Sequence, residues 1–249
     1  MGESIDELFG ELRSLLNRKP RDYAWARELE DILERAHQTG ETAYIPMWGA
    51  YLQGFASHWP APFCRLSSIE NLERFGQMMP DAMFDLFLRY QSTGGGYPVR
   101  PNLEALKASS HLRQVRSLDL GKSRAGGIYV EALAASEHLE NVEILDLTKL
   151  GIDDLMFEAI ATASRFTSLR RLVLDHNALG AVGIAALDLL GRDNPLTELS
   201  LKDCALGYHG ANALVDTATL KDLELLDLSL NRLPTAALGI LFESPSVFG

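Results

Sequence analysis

Residues 169–179 read LRRLVLDHNAL. Leucine stands at 169, 172 and 174, and Asp175, His176 and Asn177 follow side by side. Two readings compete. An aspartate beside a histidine is half of a catalytic pair or of a metal site. The alternative is a repeating unit that places its polar residues at this point. Four other stretches decide: VRSLDLGKSRA (115–125), VEILDLTKLGI (142–152), LTELSLKDCAL (196–206) and LELLDLSLNRL (223–233). With 169–179 they form a series in which each member starts 27 residues after the last. One apolar column is Val115, Val142, Leu169, Leu196 and Leu223. The next is Leu118, Leu145, Leu172, Leu199 and Leu226, and the third is Leu120, Leu147, Leu174, Leu201 and Leu228.

The connecting segments keep the period. Leu106, Leu133, Ile160, Leu187, Leu214 and Leu241 form one column, and Leu103, Val130, Phe157, Ile184, Ala211 and Leu238 another. Apolar residues three and four apart mark helices, and the alternation in L-x-L marks a strand. Each unit is therefore read as one strand followed by one helix. A unit this short cannot bury its own apolar face, so neighbours must stack.

The pattern L-x-x-L-x-L-x-x-N/C-x-L resembles the leucine-rich repeat, and the helix-bearing unit is most similar to the ribonuclease-inhibitor-like class. The resemblance covers about residues 101 to 243. It implies an α/β solenoid, with parallel strands on a concave face and helices on a convex face. The expected organisation is a helical N-terminal cap over 1–97 and a domain of five repeats over 98–249. In this class the ninth position holds a residue that hydrogen-bonds backbone groups at the strand exit. Here it holds Ser123, Leu150, Asn177, Cys204 and Asn231. Asn177 is thus expected to be a structural ladder residue. Leu150 lacks a polar group, and local irregularity is expected in the second unit.

The first hundred residues lack the repeat. SIDELFGELRSLL, YAWARELEDILERAH, SSIENLERFGQMM and DAMFDLFLRY are read as helices, AYIPMWGAYLQGFASHW as an aromatic-rich stretch that makes the count four or five, and STGGGYP as a linker. Trp25, Trp48 and Trp59 all lie here, and packing into a cap over the solenoid end is preferred to a recognition surface.

Bulk properties narrow the function. The 249 residues carry a net charge of −11, which disfavours nucleic acid and anionic membranes. The acidic, amphipathic start is unlike a signal peptide, and no apolar run reaches membrane-spanning length. Two distant cysteines, Cys64 and Cys204, make neither a disulfide framework nor a zinc spacing. A cytoplasmic protein is expected. DLGKS (119–123) mimics the end of a phosphate-binding loop, but Arg116 stands where that loop needs glycine. His111 and His138 are one repeat apart without a matching acidic or cysteine partner. No catalytic residue, metal ligand or cofactor is assigned.

Residues between the core positions face outward. The outward columns are Ser117, Ile144, Arg171, Glu198 and Leu225; Asp119, Asp146, Val173, Ser200 and Asp227; and Gly121, Thr148, Asp175, Lys202 and Ser229. The expected function is presentation of this curved surface to a protein partner, without enzymatic activity. The candidate contact residues are Asp146, Arg171, Val173, Asp175, His176, Glu198, Lys202, Leu225, Asp227 and Leu230. Leu225 and Leu230 are apolar at outward positions of the last strand, which makes that edge a candidate for self-association. The resemblance carries a second reading, because repeat proteins of this class include activators of small GTPases. Arg171 or Arg124 would then contact the partner.

Overall fold

A computed structural model of the chain describes residues 3–18, 23–41, 43–56, 65–66, 69–78, 84–88, 103–122, 126–163, 165–190, 196–220 and 222–243. The L-x-x-L-x-L phasing decides the architecture. Leu118, Leu145, Leu172 and Leu199 are each at most 1% exposed. They lie in strands β3 (Val115–Asp119), β4 (Ile144–Asp146), β5 (Arg171–Val173) and β6 (Glu198–Ser200), and the column continues through Leu226 in β7 (Leu225–Asp227). The pairing is parallel, and Leu118 opposes Leu145, Leu145 opposes Leu172, Leu172 opposes Leu199, and Leu199 opposes Leu226. A slip of one residue would turn every leucine out of the core, so the apolar pattern fixes the register.

The ladder runs on past the strands. Leu147 N–H donates to Val173 O at 2.8 Å, Leu174 N–H to Ser200 O at 2.9 Å, and Leu201 N–H to Asp227 O at 2.9 Å. Helices fill the intervals: α5 (Leu103–Ala108), α6 (Gly126–Ala135), α7 (Asp154–Ala163), α8 (Ala181–Ala185, continued as a tight 3₁₀ turn over Ala186–Leu190), α9 (Gly207–Asp216) and α10 (Thr235–Glu243). Consecutive helices pack on one another. Their inner column, Leu106, Leu133, Ile160, Leu187, Leu214 and Leu241, is at most 2% exposed. The result is α/β: one helix layer against one face of an all-parallel sheet whose strands follow chain order.

Among the described residues four N-terminal helices form, within the four or five expected: α1 (Ile5–Leu16), α2 (Tyr23–Gln38), α3 (Ile45–Ala56) and α4 (Ile69–Met78). Ser4 caps α1 in a reciprocal box with Glu7. Trp25 and Trp48 are both 0% exposed, and Trp25 Nε1 donates to Leu15 O at 2.7 Å. They are core residues, as expected; Trp59 lies outside the described residues.

One expectation fails. DAMFDLFLRY is read above as a helix, but Phe84–Phe87 is a strand, β2. A short strand, β1 (Arg65–Leu66), pairs beside it, so among the described residues the sheet has seven strands in the order β1 to β7. The N-terminal part is not all-helical. Phe84, Leu86 and Leu88 alternate and are at most 5% exposed, which is the same one-faced pattern as the later strands. β2 joins β3 in parallel, with Leu86 opposite Leu118, and Leu88 N–H donates to Asp119 O at 2.8 Å. Tyr129 of α6 donates its hydroxyl to Leu88 O at 2.8 Å. Arg116 and Asp85 form a 3.3 Å ion pair across β2 and β3. The sheet thus runs through the boundary expected at 97/98. STGGGYP lies outside the described residues.

Helix α4 also approaches the repeats closely. A Cβ on Gly76 would sit 2.4 Å from Gln114 Oε1 and 2.5 Å from His111 Nδ1, so only glycine fits there without displacement. Those two side chains lie 3.0 Å apart, which accounts for His111 without a metal.

Candidate functional site

Strands β3 to β7 leave the sheet through the same turn. Lys122, Lys149, His176, Asp203 and Leu230, one repeat apart, all have φ between 54° and 64°. Left-handed backbone at a residue with a Cβ costs roughly 1–2 kcal/mol. The ladder offsets that cost: Lys149 N–H donates to Asp175 O and His176 N–H to Lys202 O, both at 2.8 Å, and Asp203 N–H to Ser229 O at 2.9 Å. His176 occupies its place because the turn demands a left-handed residue there, whatever its side chain.

Asn177 and Asn231 complete the turns. Asn177 Oδ1 accepts from Leu150 N–H at 3.1 Å and Ile152 N–H at 3.0 Å. Its Nδ2 donates to Leu147 O at 2.9 Å and Leu174 O at 2.8 Å. Asn231 repeats the arrangement on Cys204 N–H, Leu201 O and Leu228 O. Cys204 Sγ contacts Leu174 O at 3.2 Å. The sheet register is unbroken through β4; residues 123–125 of the preceding turn, which a polar residue at 150 would serve, lie outside the described residues.

Burial pushes the Cys204 thiol up to about 11. A group raised in this way stays protonated through neutral pH and is a poor nucleophile. We expect Cys204 to resist iodoacetamide in the folded chain at pH 8 and to label rapidly in denaturant. Peptide mass spectrometry reads Cys204 separately from Cys64, which lies outside the described residues.

The aspartates of the strands share one structural task. Asp119 Oδ1 accepts from Gly121 N–H, Asp146 Oδ1 from Thr148 N–H and Asp227 Oδ1 from Ser229 N–H, all at 2.8–2.9 Å. Each is an Asx-type turn, closing the backbone two residues on. Hydrogen bonds from Ser229 hold the Asp227 carboxyl below the usual carboxylate range. In the fourth unit Ser200 replaces the aspartate. Asp175 of the third unit reaches across instead, accepting from Lys202 N–H at 3.1 Å and from the Ser200 hydroxyl at 2.5 Å.

The adjacent Asp175 and His176 therefore do not pair. His176 Nδ1 lies 2.9 Å from Asp203 Oδ2, one repeat away. Among the described residues no group of three or more His, Cys, Asp or Glu could hold a metal.

The outward side chains converge on one open groove of about 720 Å³ at the strand exits. It is lined by Lys122, Asp146, Thr148, Lys149, Arg171, Val173, Asp175, His176 and Lys202. Six of the ten sequence candidates are brought together here. Glu198 stands beside it, 3.2 Å from Arg171. Leu225, Asp227 and Leu230 belong to the last strand and turn; Leu225 is 52% and Leu230 62% exposed. Leu230 borders a second recess of about 360 Å³ with Leu226, Leu228, Leu238 and Leu241. Sequence reasoning passed over Lys122 and Lys149 as groove residues. The signal was present: they share His176's column, and the turn carries that whole column to the groove.

Among the described residues no helix is long and apolar enough to cross a membrane. No protein-family model matches the chain, and no curated protein matches it at a significant level.

Proposed function

We propose that the chain is a leucine-rich-repeat interaction module, with its helices on the convex side and a capping segment of mixed helices and strands. It acts by presenting to a protein partner a groove whose carboxylates and histidine the scaffold holds in place. The observation that supports this most is the engagement of the polar residues by the scaffold itself. Asp146 and Asp175 fasten backbone amides, and His176 is held by Asp203. Such an array is pre-organised, and little side-chain freedom is lost on binding. The groove is also broad and open, which suits a helix or loop better than an enclosed small substrate.

Capture from the native cell by affinity purification, with quantification of each captured protein, tests the reading. The comparison is between Arg171→Ala/His176→Ala in the groove and Leu155→Ala/Val182→Ala on the helix layer. All four side chains are exposed. Loss of a partner with the groove variant and its retention with the helix variant is the expected result. Equal capture by both variants and the wild type would sink the groove as the binding face.

A second surface has its own observation. Among the described residues, Leu225, Leu230 and Leu238 are exposed at strand β7, its turn and helix α10. We propose that this edge meets a second copy of the chain, because an outer strand with apolar neighbours invites pairing. Sedimentation is expected to show a concentration-dependent dimer in the wild type and a monomer for Leu225→Glu/Leu230→Glu. A wild type that stays monomeric at high concentration refutes self-association.

A further inference from the structure

The groove concentrates cations in an otherwise acidic molecule. The chain carries −11 overall, yet four fixed cations line the groove against two carboxylates, and among the described residues only Arg171 of the four has a carboxylate partner, Glu198. The two lining carboxylates each accept from a backbone amide rather than from a lysine. Lys122 and Lys149 stand exposed at the left-handed position of adjacent units, and Lys202 lies in the neighbouring column. Among the described residues, none of these three lysines has a carboxylate within ion-pair distance, although Lys202 is felt at longer range by Asp227.

Deepening the interaction reading above, on which it rests, we propose that this groove binds an acidic helix of a partner protein. The spacing selects a helix. Adjacent parallel strands stand about 4.8 Å apart, so Lys122 and Lys149 are separated by about that interval, and Lys202, three units from Lys122, by about 14 Å. On an α-helix, residues i and i+3 are separated by about 4.5 Å along the axis. An extended peptide places same-face side chains about 6.8 Å apart and falls out of step. Carboxylates at i, i+3 and i+10 of one helix, about 4.5 and 15 Å along its axis, therefore meet Lys122, Lys149 and Lys202, and Val173 provides an apolar floor between the rims. A dense polyanion fits less well. Among the described residues the groove has no Phe, Tyr or Trp on which a base would stack, and Asp146 and Asp175 line it.

The test uses the intact chain and fluorescence anisotropy. Two helix-forming peptides of about 15 residues carry glutamate or glutamine at i, i+3 and i+10. A thymidine oligonucleotide is the third probe. The glutamate peptide is expected to bind saturably and to weaken between about 50 and 200 mM salt, as an ion-paired contact should. The glutamine peptide should bind about tenfold more weakly or worse. Lys122→Glu/Lys149→Glu/Lys202→Glu should abolish the glutamate-peptide signal, and Lys122→Gln/Lys149→Gln should reduce it. The second variant keeps the test valid if circular dichroism shows the first to be misfolded.

Equal binding of the two peptides overturns the proposal. So does absence of binding at about 1 mM, or tighter binding of the oligonucleotide. Failure of the parent reading is separable. If Arg171→Ala/His176→Ala loses the captured cellular partner while the lysine variants keep it, the acidic-helix proposal falls and the module stands. If every groove variant keeps that partner, the module reading falls as well.

Discussion

Asn177→Ala is expected to lower the stability of the chain by about 3–5 kcal/mol, the largest loss among the ladder positions. Removing the amide strips partners from Leu150 N–H, Ile152 N–H and Leu147 O at once, and leaves Leu174 O with only the weak Cys204 thiol. The side chain is 5% exposed, so bulk water does not replace those bonds without opening the turn. A buried polar backbone group left without a partner costs about 1–3 kcal/mol. The total is below a simple sum, because the turn relaxes. Urea unfolding should show a lower midpoint at unchanged slope. Asn177→Asp should fall between, since its carboxylate still accepts from the two amides but donates to neither carbonyl. An alanine variant within about 1 kcal/mol of the wild type would refute the role given to the ladder.

Leu172→Ala should cost about 2–5 kcal/mol, the usual range for emptying a packed leucine site. Leu172 is 1% exposed and sits mid-sheet between Leu145 and Leu199, so the cavity is walled by strands that have no room to close in. Leu155→Ala is the matched control. The same side chain is removed, but Leu155 is 72% exposed, and the change should stay within about 0.5 kcal/mol. An unchanged melting curve for Leu172→Ala would contradict the stacked-unit core.

The repeats were readable because their spacing is constant and their apolar columns are nearly pure. Strands β1 and β2 were not. Leu66 opposes Leu86 and Leu86 opposes Leu118, intervals of 20 and 32 residues, so no 27-residue alignment reaches them. Within the short run FDLFL, alternation and helical spacing both fit, and only pairing with β3 settles which wins. The groove was legible in its columns, because alternation assigns faces without knowledge of the turns. The polar contacts within it were not. The pairs His176–Asp203 and Asp175–Ser200 join different units across the sheet, and proximity along the chain pointed instead to Asp175 and His176. The aspartates of L-D-L served as candidate contacts, and their bond to the amide two residues on becomes visible only with the turn geometry.

The ladder also has a direction. Asn177 bonds to Leu150 N–H and Leu147 O, and Asn231 to Cys204 N–H and Leu201 O, so each asparagine serves the unit before its own. On a ribosome, where the N-terminal portion emerges first, such a turn has to wait for the asparagine 27 residues downstream of the amide it will satisfy. Nascent units are therefore left with an open C-terminal turn until the following unit is out. Arrested chains cut just before Asn177 should expose the turn at Leu150 to protease, and chains extended past it should protect that turn, so that order spreads backward along a chain that is synthesised forward.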